Sequence, residues 1–256
     1  MPRRHTGGGG SRFHLPLQTF ERSSGASQAV SGDVLHQNVP IEFYYYEDFL
    51  WDAFDITEHP LAIYDASASG TPTTDLLADA TGGVFQIKLA ATSEAETVGF
   101  TQGDNLYIQG NTLWYFETRL KVVNAMAANQ VLVWGLGSDV NTTTLDNITR
   151  NAWFRLDADA DLLVELDDNT TDTDDYDTGE DITADTYYIF GMERGIDGKV
   201  HFYMADGDGE NARQVHEITD AFGANNLQPI LIAQKASGTS QPELNIDYLY
   251  YIGRRL

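Results

Sequence analysis

The chain contains no cysteine, which excludes disulfides, thiolate zinc sites and cysteine nucleophiles. Lysine is scarce too, at four residues, and all basic residues number 15 against 39 acidic ones. The formal charge is −24. Nucleic-acid affinity comes mainly from neutralising phosphates, so no nucleic-acid partner is expected. An anionic membrane would repel such a surface, and no membrane partner is expected either. No run approaches the roughly 18 to 20 apolar residues that span a bilayer. Met1-Pro2-Arg3-Arg4-His5 runs into four glycines rather than an apolar stretch, so no signal peptide is expected at this end. What remains is a globular composition, 42% apolar and 21% charged.

The charge is unevenly placed. Residues 1–22 carry Arg3, Arg4, Arg12 and Arg22 against Glu21, a net of +3; the other residues sum to −27. Gly7–Ser11 and residues 23–33 are small and polar and read as linkers. Between them Phe13, Leu15, Leu17 and Phe20 supply apolar anchors in a segment too short for its own core. The expectation is a basic N-terminal arm and linker over 1–40, ordering on a partner, ahead of one domain over 41–256.

That domain reads as strands. Segments rich in β-branched and aromatic residues alternate with Gly, Asp, Asn and Thr clusters. Leu113–Val123 alternates cleanly: Trp114, Phe116, Thr118, Leu120 and Val122 share one face, and Tyr115, Glu117, Arg119 and Lys121 the other. This period of two predicts a half-buried antiparallel strand. Strands are expected at 42–46, 84–89, 131–136, 153–156, 162–166, 187–192, 200–204, 215–218, 229–233 and 244–252. Single helical turns are expected at 75–80 and 220–224. Turn signals every 8 to 14 residues suggest an all-β antiparallel sandwich or barrel. No fixed-period repeat is present.

Four segments carry a family resemblance: Gly82-Gly83-Val84-Phe85-Gln86-Ile87-Lys88-Leu89, Leu113-Trp114-Tyr115-Phe116-Glu117-Thr118-Arg119-Leu120-Lys121-Val122, Lys199-Val200-His201-Phe202-Tyr203-Met204 and Leu244-Asn245-Ile246-Asp247-Tyr248-Leu249-Tyr250-Tyr251. In order and spacing they resemble the strands of concanavalin A-like (laminin-G-like) jelly rolls of tailed phages, over roughly residues 41–253. The resemblance implies a jelly-roll β-sandwich and a non-enzymatic virion structural protein decorating the outer surface of a phage head. Its partners would be the major capsid protein or other virion proteins, with homo-oligomers as a further expectation. The arm residues Arg3, Arg4, Arg12, Phe13, Leu15, Leu17, Phe20 and Arg22 would then bind the capsid. The alternative is a carbohydrate-binding, lectin-like module whose partners are surface glycans.

Catalytic chemistry is thinly represented. Glycosidases of this fold class place Glu-x-Asp-x-x-Glu along one strand, so that the carboxylates face one cleft. Glu165-Leu166-Asp167 begins that pattern, but Thr170 stands at its third position. No phosphate loop, dinucleotide fingerprint or serine-nucleophile motif occurs. The loop Asp206-Gly207-Asp208-Gly209-Glu210-Asn211 offers Asp206, Asp208 and Glu210 as calcium ligands. The run Asp172 to Asp181 reads as a solvated acidic loop, an alternative calcium position. No other cofactor is expected. Tyr44, Tyr45, Tyr46 and Trp51 concentrate aromatics near the domain start, as a candidate contact for a subunit or a glycan.

Overall fold

The computed structural model describes residues 43–50, 61–78, 80, 82–103, 108–124, 126–140, 144–158 and 160–253. The proposed arm and Trp51 lie outside these residues, as does the side chain of Tyr44. In chain order the strands are β1 (Phe43–Glu47), β2 (Ala62–Asp65), β3 (Thr73–Leu76), β4 (Phe85–Lys88) and β5 (Glu96–Thr101). There follow β6 (Ile108–Gln109), β7 (Trp114–Val123), β8 (Gln130–Gly137), β9 (Asn151–Leu156), β10 (Asp161–Asp167) and β11 (Asp172–Asp181). The last five are β12 (Tyr187–Arg194), β13 (Lys199–Asp206), β14 (Arg213–Thr219), β15 (Asn226–Lys235) and β16 (Glu243–Gly253).

These strands form two eight-stranded antiparallel sheets. The first runs β14-β13-β12-β7-β16-β4-β3, with β1 on the far half of β16. The second runs β11-β10-β9-β8-β15-β5-β2, with β6 on the start of β15. Alternation explains the packing. Trp114, Phe116, Leu120 and Val122 of β7 meet Leu132, Trp134 and Leu136 of β8 in one continuous core between the sheets. Trp134, Phe154, Phe190 and Phe202 stack and tilt against one another there.

Four expectations are corrected. The other face of β7 is not solvated at its first half, because Tyr115 and Glu117 are buried. Residues 73–76, overlapping the start of the expected helical turn at 75–80, pair with β4 as a strand. No helical turn forms at 220–224, and the described residues hold a single 3-10 turn, at Leu145–Asn147. The acidic run from Asp172 is not a loop but the ten-residue edge strand β11, paired to β10. It also ties the two sheets together at their margin. Tyr176 stacks on His216 of β14 with ring centroids 3.6 Å apart, and Arg213 forks onto the Glu180 carboxylate.

Two further features shape the sandwich. Lys235 on β15 is fully buried, and its Nζ reaches the Glu96 carboxylate (3.2 Å) and the Thr92 carbonyl (2.7 Å). Glu96 in turn accepts from the Ala90 N–H (2.8 Å) and the Thr92 hydroxyl (3.0 Å), so this pair pins the 90–95 connection to the sheet. On the outer face of the second sheet, Val133, Trp153, Ile230 and Ile232 form a small apolar cluster. Val140, Leu145 and Ile148 from the 138–150 connection cover it. Gly135 makes this fit possible, since a Cβ there would lie 2.6 Å from the Trp153 Cα and 2.5 Å from the Ala152 carbonyl oxygen.

Candidate functional site

The capped apolar cluster positions a cleft. With Val140, Leu145 and Ile148 buried against the sheet, their polar neighbours Ser138, Asp139, Asn147, Thr149 and Arg150 are left at the rim. Ser138 and Asp139 follow the end of β8; Asn147, Thr149 and Arg150 lead into β9; Asn225 and Asn226 open β15. Together they line a cleft of about 400 Å³ with no apolar side chain in its walls. Two backbone bonds and one side-chain bond fix the frame. The Ser138 N–H donates to the Arg150 carbonyl (2.8 Å), Gly110 N–H to the Asn225 carbonyl (2.6 Å), and the Gln228 amide to the Ser138 carbonyl (3.3 Å). Small-molecule sites are usually lined by apolar groups with a few polar ones. A wall of amides, hydroxyls, one carboxylate and one guanidinium suits a ligand that is itself polyhydroxylated.

None of these seven residues stood out in the sequence. They come from the β8–β9 connection and from the start of β15, and Asn147-Ile148-Thr149 matches only the Asn-x-Thr pattern, which Thr- and Asn-rich loops give by chance. The usable signal was Leu145 and Ile148, two apolar residues in an otherwise polar stretch, which mark a connection that folds back onto the protein.

The sequence-predicted positions fare differently. Glu165 and Asp167 share one face of β10, but Glu165 is buried, held by the Asn151 amide (2.9 Å) and by Arg155 (3.3 Å). Asp167 accepts the Asn169 N–H (2.6 Å), and Thr170 lies in the turn beyond the strand. The carboxylates proposed for calcium belong to the β13–β14 hairpin and serve its geometry. Asp206 accepts from the Asn211 amide (2.5 Å) and Asp208 from the Glu210 N–H (3.2 Å). They do not converge, and among the described residues no three His, Asp or Glu side chains gather to hold a metal. Tyr45 turns inward and stacks on Tyr251 at 5.1 Å, so it packs against the core rather than presenting a contact surface. Tyr46 stays on the outer face beside Tyr248 and Tyr250.

That outer face of the first sheet carries a second constellation. Glu117 accepts hydrogen bonds from the hydroxyls of Tyr248 (2.6 Å) and Tyr115. Glu193 accepts from the Tyr203 hydroxyl (2.8 Å). Burial pushes both carboxyls up to about 7, against the pull of their tyrosine donors. Burial raises Glu165 to about 7 as well, against its hydrogen bonds and Arg155. A carboxyl whose folded-state pKa lies above its unfolded value favours folding at low pH, and that contribution is lost as pH rises through the folded value. Each unit is worth about 1.4 kcal/mol. The melting temperature is therefore expected to fall by several degrees from pH 5 to pH 8. His216, whose pKa burial lowers, acts in the opposite sense as a single half-exposed group. Thermal melts across that range check this, and Glu117→Gln or Glu193→Gln should flatten the slope; an unchanged slope would refute the assignment.

No family model and no curated protein matches the sequence. Solved structures do match in fold. A protein of unknown function from Shewanella oneidensis MR-1 superposes with a TM-score of 0.57 at 13% identity, over 83% of this chain and 87% of that one. A seed lectin of Lotus tetragonolobus gives 0.51 at 8% identity, over 82% and 97%. The exoplasmic/lumenal domain of VIP36, in its Ca2+-bound form, gives 0.51 at 9% identity, over 83% and 90%. The two-sheet architecture and these likenesses define the class: a concanavalin A/legume-lectin-like jelly-roll sandwich.

Proposed function

We propose that the protein is a non-catalytic carbohydrate-binding sandwich whose glycan site is the cleft between Ser138 and Asn226. The observation that carries this reading is the wall of the cleft, built wholly from hydrogen-bonding side chains on a rigid frame. A sugar offers hydroxyls that donate to Asp139 and exchange hydrogen bonds with Asn147, Asn225 and Asn226. The lectin among the structural neighbours supports the reading at the level of fold. Catalysis is not part of it, because Glu165 is enclosed by Asn151 and Arg155 and lacks a carboxylate partner three residues beyond Asp167. The test is a glycan array probed with the full chain, followed by titration of any hit. Binding should be lost in Asn226→Ala and Asp139→Ala while the melting temperature stays within a few degrees. Absence of binding to every glycan class, or binding indifferent to both changes, would end the proposal.

A second reading concerns where the module is displayed. The +3 segment with apolar anchors ahead of a −27 body supports attachment to a larger acidic assembly, such as the outer surface of a phage head. Ordering such an arm costs roughly 1 to 2 kcal/mol per residue, so charge alone does not suffice. Burial of Phe13, Leu15, Leu17 and Phe20, at about 1.5 to 3 kcal/mol each, offsets part of this, and strand addition to the shell would have to contribute more. Deleting residues 1–33 should leave the sandwich folded and its glycan binding intact while abolishing co-sedimentation with particles. Salt should weaken attachment only in part, since apolar anchors are not screened. If the truncated chain sediments as well as the full one, the arm is not the anchor.

A further inference from the structure

We infer that the cleft selects sugars bearing a carboxylate, with Arg150 as the receptor for that group; this rests on the glycan-binding reading above. Charge pairing sets Arg150 apart. In a chain so rich in acid, the described basic residues find carboxylates almost without exception. Lys88, Arg119, Arg155, Arg194, Lys199, Arg213 and Lys235 each form an ion pair. Lys121 lies over the Tyr187 ring at 5.2 Å. Arg150 alone among the described lysines and arginines has neither, and its buried Nε has no hydrogen-bond partner.

This arginine stands in the wall of the cleft. Guanidinium Nε and Nη donors form a planar fork that matches a carboxylate with two parallel hydrogen bonds. An arginine that lines the cleft and makes no ion pair within the protein leaves its charge to be met by a carboxylate of the ligand. Two carboxylates of the protein lie near. Asp167 feels the Arg150 charge, but its Oδ1 is already taken by the Asn169 N–H. Asp139 lines the same cleft and would repel a second anion placed against it. The two charged walls therefore divide the ligand: its carboxylate goes to Arg150, and its hydroxyls donate to Asp139. Such a ligand is a uronic- or sialic-acid-type unit. A volume of about 400 Å³ takes one such unit rather than a long stretch of chain.

The experiment titrates the full chain with oligosaccharides ending in glucuronate or N-acetylneuraminate, with their methyl esters, and with a neutral hexose series. The acid should bind at least about tenfold more tightly than its ester, as loss of a charge-assisted pair predicts. Arg150→Gln should remove the preference for the acid over its ester, and Arg150→Lys should recover part of it. Which acid binds decides between the uronic and sialic forms. Equal affinity for acid and ester, or an Arg150→Gln protein that binds the acid normally, overturns the inference. If only neutral sugars bind, and Asn226→Ala removes them, the glycan reading stands and this one falls. If no sugar binds at all, both fall.

Discussion

Replacing Trp114 with alanine is expected to lower the melting temperature by roughly 6 to 20 °C. The indole is fully buried between the sheets, and its Nε1–H donates to the Gly110 carbonyl at 3.1 Å. Truncating a buried aromatic costs about 3 to 5 kcal/mol, through lost transfer energy and the cavity left behind. The orphaned carbonyl adds to this. A sandwich of this size loses about 2 to 4 °C per kcal/mol. Lys121→Ala, seven residues along the same strand and on its other face, is the control. Lys121 is half-buried and gives up only a contact with the Tyr187 ring, worth about 0.5 to 1 kcal/mol. Calorimetry of the two variants decides the matter: equal losses would mean that the register of β7 is misassigned.

Lys235→Met should be comparably damaging, for a different reason. Nothing apolar is lost, since methionine approximates the volume of the lysine stem. The Glu96 carboxylate, fully buried, would instead be left without its cation, and the carbonyls of Ala90 and Thr92 without their donor. Breaking one member of a buried ion pair costs about 3 to 5 kcal/mol, whereas removing both is often far cheaper. The double change Lys235→Met with Glu96→Gln should therefore regain a large part of the loss. Chemical denaturation of the four proteins closes the cycle. A double variant as unstable as the sum of the singles would show that the two residues do not act as a pair.

The strands legible in the sequence are those whose two faces differ. β7, β8, β13 and β16 alternate or concentrate β-branched and aromatic residues, and each forms within a residue or two of its expected bounds. The missed strands lack that contrast. β5 is buried along its whole length yet holds Glu96 and Gly99, because one is paired with Lys235 and the other passes too close to the Leu231 carbonyl to carry a side chain. β11 is built from aspartates, which are depleted in strands, and it exists because β10 offers it a ladder and β14 offers it Arg213 and His216. The cleft was illegible for a related reason. Its residues are ordinary turn formers from the two ends of one connection and from the start of β15, and only tertiary packing of Val140, Leu145 and Ile148 brings them to one rim. Tyr45 and Tyr46 show the limit in miniature: neighbours of one residue type, sent to opposite faces by the pleat.

β11 also has a meaning for molecules that meet their own copies. A long sheet margin ordinarily invites another strand, and at high local density that leads to fibres and clumps. Here the margin carries five aspartates and a glutamate in ten residues, with no lysine or arginine among them. Two copies approaching edge to edge would set one row of anions against another within a Debye length, about 8 Å at physiological salt. Copies crowded on a surface would stay separate along this side while remaining free to touch elsewhere. High salt, which quiets that repulsion, is the condition under which such copies would begin to join.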